Sequence, residues 1–561
     1  MPSTRNPIYV LALVAIATIL LVYSMASTSV VWVEPEAFGL VSKFPIAYWL
    51  GLGVLACLWY VSRHSKYFLG ASFALTILYL YAAPIVIRVP VWISNSYYPF
   101  GESRLVSETG HIDYRTGTTF VSYLYWPAFL CFSSVFTLVT GIPDYFLLKY
   151  FPLLAVTLYG LFLIVIQRIK LGSSMAIFGG ALLLGGFFIR QQYFGPQAIS
   201  YVLFMMGILI ISWLFFDDKA HKRTMAALLL FLFVATTLMH PLTSLMLLVT
   251  TVSLYLTFRV FLKKPAGIML VLCSASAIIW LVYQAYFAPG FFSLMVQHLS
   301  YLLLGSRTPN IISASGRLIG SRAMEVNFLS SYAIVGLFAG VALLSILLIL
   351  RKAWRQKMRA AKELDYSIFN LVLLVMLAVF AFAGEYGTTE AYQRAFFFGL
   401  VPLSFLCVSL LKSKPKLLVG FLVVAMFLNI PAQYGSDTYR LATAAQLSGT
   451  EFLTRYSPES FRILGRFTLY IRYFDPLKKY EVPSIGLDYP FTSLPNSSAI
   501  NEAIDRALGQ TDYVVRSDLE NNFYIFSLGS NPFDSIDFDA KCHRICDNGQ
   551  FRLFRPINST Q

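Results

Sequence analysis

Residues 44–87 read FPIAYWLGLGVLACLWYVSRHSKYFLGASFALTILYLYAAPIVI. Two uncharged apolar stretches, 44–61 and 67–87, flank a short polar hinge that carries Arg63 and Lys66. Each stretch is close to the roughly 20 residues that a helix needs to cross about 30 Å of hydrocarbon. Lipid offers a backbone amide no partner, and continuous apolar runs are not the ten-residue alternation of an outer-membrane barrel. The stretch therefore predicts a membrane helical hairpin turned on a cationic hinge.

The same unit recurs along the chain. Apolar stretches also lie at 8–33, 150–166, 171–189, 198–216, 225–239, 242–260, 265–287, 328–350, 366–383, 395–411 and 417–430, about thirteen in all. With 57% hydrophobic residues, 13% charged residues and a mean hydropathy of +0.66, the chain holds more apolar surface than a soluble core could hide. The expected fold is an all-α polytopic membrane protein, with a multi-spanning domain over 1–431, a long outer loop at 88–149, and a small α/β domain over 432–561.

Charge sets the expected orientation. Alternate connections carry Arg63 and Lys66, Arg168 and Lys170, Lys219, Lys222 and Arg223, Lys263 and Lys264, the cations of 351–362, and Lys412, Lys414 and Lys416. The positive-inside rule places these in the cytoplasm, with the N-terminus; about twenty of the 43 Lys and Arg fall on that side. The tail and the opposite loops then lie outside, and the expected location is the plasma membrane. The segment 120–140 is apolar enough to be a further span, but counting it would reverse every later hinge. Its Trp126-Pro127 break and its aromatics fit a helix lying in the outer interface instead. The net charge of +15 is thus an orientation signal and implies no nucleic-acid partner. The first stretch is longer than a signal core, lacks a convincing small-residue cleavage site before Glu34 and Glu36, and reads as an anchor.

In the tail, 513–516, 523–528 and 551–554 read as strands, 501–508 as a helix and Asn548-Gly549 as a hairpin turn. Cys542 and Cys546, on the oxidising side, read as a local disulfide. Two sequons, Asn496-Ser497-Ser498 and Asn558-Ser559-Thr560, agree with an outside location.

Span interiors are almost free of the ionisable stations that ion pathways use. The polar residues gather at the outer ends: Glu34 and Glu36; the loop with Arg88, Glu102, Arg104, Glu108, Asp113 and Arg115; Arg190, Gln191 and Gln192; His240; and Glu385, Glu390 and Arg394. Glu102 and Asp113 can serve as bases, while Arg190 and Arg394 suit a lipid phosphate, with Gln191, Gln192 and His240 as further contacts. The plainer reading of each is a solvated loop charge, a snorkelling arginine or a capping histidine. Asp537-Phe538-Asp539 has the look of a metal-binding acid pair, but solvated acids account for it; no metal ligand set is assigned, and a divalent ion is left open.

The loop from Ser96-Tyr97-Tyr98 to Gly110-His111-Ile112-Asp113, the string RQQYFGPQ at 190–197, His240-Pro241-Leu242-Thr243, the Arg394 region and 546–551 together resemble the type C glycosyltransferase superfamily. The resemblance extends over nearly the whole chain and is nearest to archaeal membrane proteins similar to protein mannosyltransferases and oligosaccharyltransferases. It implies sugar transfer from a polyprenyl-phosphate-linked donor to a glycan, lipid or protein acceptor at the outer face, with an acid of the first large outer loop as base and the outer tail binding the acceptor or covering the site. Where many members carry acids, this chain has Asn95-Ser96 and Gln197, which leaves Glu102 and Asp113 as the nearest substitutes, with Glu34 or Glu36 taking the role if the first span, not the third, matches the first span of the superfamily. A lipid-linked sugar flippase, a polymerase or other transporter, and a catalytically inactive relative are the alternatives.

Overall fold

The computed structural model describes residues 7–31, 38–91, 93–112, 124–216, 221–263, 267–290, 292–293, 296, 322–355, 362–383, 390–435, 442–465, 470–481, 497–528, 531, 533–534 and 536–557. The helices are α1 (Pro7–Ser27), α2 (Ile46–Ser62), α3 (Lys66–Ile87), α4 (Tyr97–Thr109), α5 (Pro127–Thr140), α6 (Asp144–Leu171), α7 (Ser173–Gly186), α8 (Pro196–Phe216), α9 (Lys222–Met239), α10 (Pro241–Phe261), α11 (Gly267–Phe287), α12 (Arg322–Arg355), α13 (Lys362–Ala383), α14 (Glu390–Leu411) and α15 (Pro415–Tyr434). Among the described residues ten helices are long and apolar enough to cross a membrane. Three shorter apolar helices, Ile46–Ser62, Ser173–Gly186 and Tyr366–Val379, fill the remaining expected positions, so all thirteen stretches are helical. The chain is a multi-pass membrane protein.

The described part of the segment 120–140 is α5, a helix of 14 residues, about 21 Å at 1.5 Å per residue and as short as α7. Pro127 sits in its first turn, where the missing N–H costs nothing, and Gly141 ends it at φ 61°. Ser133 and Ser134 pin it to α4 through hydrogen bonds to the Ser103 hydroxyl and carbonyl.

Proline chemistry shapes one end of the bundle. Pro84 lies in α3 just after a π turn, Leu78–Ala82. Its ring cannot donate to the Leu80 carbonyl four residues earlier, and lipid cannot satisfy that oxygen. The Tyr434 hydroxyl, from the last turn of α15, donates to it instead. Within the same π turn the Tyr79 carbonyl accepts from the Tyr48 hydroxyl at 3.0 Å. The third and last spans, α3 and α15, are thereby locked together at one end, where Val30 bridges Arg88 and Gly39 lies directly against the Tyr434 carbonyl. At the opposite end Lys170 reaches the Phe216 carbonyl at 3.5 Å, which brings two cationic hinges together.

Beyond α15 come α16 (Ala444–Tyr456), β1 (Ser460–Leu464), α17 (Ile471–Phe474), β2 (Lys479–Glu481), α18 (Ser497–Leu508), β3 (Tyr513–Ser517), α19 (Asp518–Leu528), α20 (Phe538–Lys541), β4 (Cys542–Asp547) and β5 (Phe551–Pro556). The five strands are ordered β2-β1-β3-β5-β4, parallel across β2, β1 and β3 and antiparallel across β3, β5 and β4. Alternation on β5 sends Phe551 and Leu553 into one apolar cluster and Phe554 into the other.

The expected helix, the strands at 513–516 and 551–554 and the Asn548-Gly549 turn are present, with Gly549 at φ 88°. The expected strand at 523–528 is instead part of α19. Ser517 accepts from the Glu520 amide, Asp518 and Glu520 occupy the first turn, and Arg516 pairs with Glu520 at 3.1 Å, so local capping overrides a short apolar run that suits either structure. The expected disulfide is also corrected. Cys542 and Cys546 are free and share strand β4, where four steps of about 3.3 Å separate their Cα atoms by roughly 13 Å, beyond the reach of one bridge.

Candidate functional site

The last turn of α15 is the hub of one end of the bundle. Pro431 lies inside that helix, its carbonyl accepts from the Gly435 amide at 3.0 Å, and the carbonyls after it lie beyond the helix's own ladder. Arg190, in the connection between α7 and α8, donates Nε to Gln433 at 2.5 Å and Nη2 to Ala432 at 2.8 Å. Asn327 of α12 donates to Pro431 at 2.9 Å and Ala432 at 2.7 Å. Arg88 is fully buried and stacks its guanidinium on Tyr434 at 4.9 Å. The connection that carries Arg190 is itself held from both sides, because Asn429 donates to Gly185 at 3.1 Å and Phe187 at 3.0 Å while Tyr81 donates to Leu184 at 2.7 Å.

A second focus lies on the same layer. His240 is the N-cap of α10, its Nδ1 accepting from the Thr243 amide at 3.3 Å and lying 3.0 Å from the Thr243 hydroxyl, which in turn lies 2.9 Å from Ser200. Burial, and then the Arg394 charge, push the His240 imidazole down to about 3, so it is neutral at any physiological pH. Phe188, two residues before Arg190, packs its ring 5.4 Å from that of Phe396, two residues after Arg394. The two arginines therefore flank one aromatic contact.

Around these foci are glutamines without hydrogen-bond partners among the described residues. Gln192 and Gln433 are fully buried with both amide atoms unpaired, Gln197 is buried with its Nε2 unpaired, and Gln284, one turn beyond the Trp280 that donates to Pro241, is likewise unpaired. Gln191 is half-buried. A buried amide left unpaired costs about 1–3 kcal/mol, and a ligand with oxygens and hydroxyls relieves that cost. Two guanidiniums, a neutral imidazole and several idle amides suit an oxyanion carried on a polyhydroxyl group.

Glu102 is placed elsewhere. Its Oε2 accepts from Arg472 Nη1 of α17, with the two side chains 1% and 2% exposed. Burial raises its carboxyl above the usual range, and the Arg472 charge opposes that rise. Beside it Gly101 brings α4 against the Arg472 backbone, and Arg104 donates to the Tyr473 carbonyl at 2.5 Å. Asp113, Glu34, Glu36, Arg115 and Glu385 lie outside the described residues. Phe194, two residues after Gln192, joins the neighbourhoods, its ring 5.9 Å from Phe100 and 5.0 Å from Phe151. Arg88, Asn327, Gln433 and Arg472 were not singled out by the sequence as partners; Pro431 near a helix end was the signal that carbonyls there would need donors.

Among the described residues no three His, Cys, Asp or Glu side chains come together. Asp537 caps the Ala540 amide and Asp539 pairs with Arg544.

No protein-family model matches the chain, and no curated protein sequence matches it. Solved structures are similar. An apo oligosaccharyltransferase of Archaeoglobus fulgidus shares 12% identity at a TM-score of 0.49, over 84% of this chain and 73% of that one. The oligosaccharyltransferase AglB of the same organism, in complex with an inhibitory peptide and a dolichol-phosphate, shares 11% identity at 0.48 over 84% and 71%. ArnT of Cupriavidus metallidurans bound to undecaprenyl phosphate shares 12% identity at 0.41 over 91% and 98%. At these identities and scores, what the site does is left to this chain's own residues.

Proposed function

We propose that the protein is a membrane glycosyltransferase that moves a sugar from a polyprenyl-phosphate-linked donor to an acceptor at the outer face of the membrane. The observation that carries this reading is the single layer at one bundle end that holds Arg190, Arg394, neutral His240 and the unpaired amides of Gln192 and Gln433. In a displacement at the anomeric carbon, negative charge grows on the departing phosphate, and forked guanidiniums meet it with paired donors. His240 supports this as a neutral hydrogen-bond donor and not as a general acid, since Nδ1 accepts from the Thr243 amide and the ring proton stays on Nε2.

The acceptor needs an acid to orient or deprotonate it. In this reading Asp113 takes that role, and Glu102 positions the loop through its clamp on Arg472. The sidedness follows the cationic hinges, which the positive-inside rule assigns to the cytoplasm, leaving this layer and the α/β domain outside.

The test is transfer from a polyprenyl-phosphate sugar by the purified protein in lipid. Wild type is expected to release polyprenyl phosphate, and Arg394→Ala to lose at least about tenfold in rate with its fold intact. Full transfer by Arg394→Ala would overturn the phosphate role. Movement of intact lipid between leaflets without transfer would favour a flippase.

A further inference from the structure

The α/β domain contains a cleft of about 310 Å³, within the roughly 300–1,000 Å³ of small-ligand sites. Its floor is one face of the sheet. Arg516 of β3 stands directly opposite Arg552 of β5, a like-charge pair that would by itself destabilise the ladder. Acids offset both: Glu520 lies 3.1 Å from Arg516, and Asp547 lies 3.5 Å from Arg552. Rings hold the guanidiniums further, with Arg516 over Phe533 at 4.7 Å and Arg544 over Phe554 at 5.8 Å. Donors fixed in this way lose little freedom when a ligand arrives.

Acceptors face these donors. The Asp518 carboxylate and the Gln550 amide line the cleft with no side-chain hydrogen bond among the described residues, and Asn521 Oδ1 is sealed from solvent without a partner. Three arginines and four aspartates share the lining, so neither an anion nor a cation is favoured overall. A hydroxyl both donates and accepts, and a ring bearing several hydroxyls uses a lining that alternates the two. Phe533, Phe538 and Phe554 add apolar surface to the lining, which the C–H face of such a ring can cover.

We propose that this cleft binds a neutral carbohydrate, separately from the lipid-phosphate layer in the membrane domain. The inference does not rest on the transfer reaction. The probes are cellobiose, lactose and α-1,2-mannobiose, with inorganic phosphate as the anion control, titrated by calorimetry into the full chain in lipid nanodiscs. Nanodiscs are required because alkyl-maltoside detergents are themselves sugars. At least one disaccharide is expected to bind, with Kd raised about tenfold or more by Asp518→Ala and by Gln550→Ala, and unchanged by Arg394→Ala. Gln550 is half-buried in the connection between β4 and β5, outside α19, so its variant keeps the test valid if Asp518→Ala disturbs that helix. Binding by none of the three sugars, binding indifferent to both cleft variants, or competition by inorganic phosphate would each overturn the proposal.

Discussion

Glu102 and Arg472 form a buried ion pair across 370 residues of chain, joining the first large loop to the α/β domain. Two charges removed from water are stable only together, and removing one partner leaves the other uncompensated. Arg472→Ala is expected to destabilise the protein by about 3–5 kcal/mol. The double variant Glu102→Leu with Arg472→Met, which removes both charges, should recover much of that loss. Thermal unfolding in detergent, with protease release of the α/β domain as a second readout, checks both. A double variant as weak as the single one would show that the charges are needed for more than each other.

Gly101 sits beside that pair for a steric reason. A Cβ there would lie 2.7 Å from the Arg472 carbonyl carbon and 2.8 Å from the Tyr473 nitrogen, both backbone atoms that cannot swing aside. Alanine would gain about 1 kcal/mol of helix propensity in α4. Separating the two backbones is expected to cost about 1–3 kcal/mol, so Gly101→Ala should lower the unfolding temperature. An unchanged or higher value would mean that α4 and α17 part freely.

The two site arginines are tested by two readouts. Arg190 spends two N–H groups on helix carbonyls, so Arg190→Ala is expected to lose both stability and transfer; Arg394, beside His240, is expected to lose transfer on replacement by Ala. Arg190→Lys keeps the charge without the fork and should not restore the paired carbonyl contact. Unfolding temperature and initial rate, measured on the same preparations, distinguish the outcomes.

His240 gives a pH dependence whose sign follows from its depressed pKa. Below its ordinary value of about 6.5 the unfolded chain takes up a proton that the folded imidazole refuses until about 3. Its contribution is therefore whole above about pH 6.5 and declines as pH falls toward 3. His240→Asn retains an oxygen acceptor for the Thr243 amide and should flatten that decline. Melting temperature followed from pH 7 to 4 tests it, and an equal slope in both proteins would reject the burial of a neutral ring. In the transfer assay His240 should add no inflection near pH 6.5.

Much of the fold was legible because hydropathy and charge are local. The hinge at Arg63 and Lys66 marks a span boundary within a few residues. Long-range partners were not legible. Nothing near Pro84 shows that Tyr434 will supply the donor for Leu80, and nothing near Glu102 points to Arg472. Strands β1 and β2, five and three residues long, carry too little alternation to stand out before their neighbours are known. Arg190 and Arg394 were visible as charges beside apolar spans, but the carbonyls that orient one and the histidine beside the other come from helices that the chain visits much later or earlier.

Gln192 offers the sharpest separation of stability from function. Its side chain is fully buried and neither amide atom has a partner among the described residues, so the folded state bears the desolvation of both. Such a group persists where a ligand completes its hydrogen bonds, and replacing it with an apolar chain of similar length removes the cost. Gln192→Met is accordingly expected to raise the unfolding temperature of the ligand-free protein by about 1–3 kcal/mol equivalent while slowing transfer about tenfold. The stabilising effect of added polyprenyl phosphate should shrink in the same variant. A stabilised variant with full transfer would strip Gln192 of any contact with substrate, and a destabilised one would show that its amide is already satisfied within the fold.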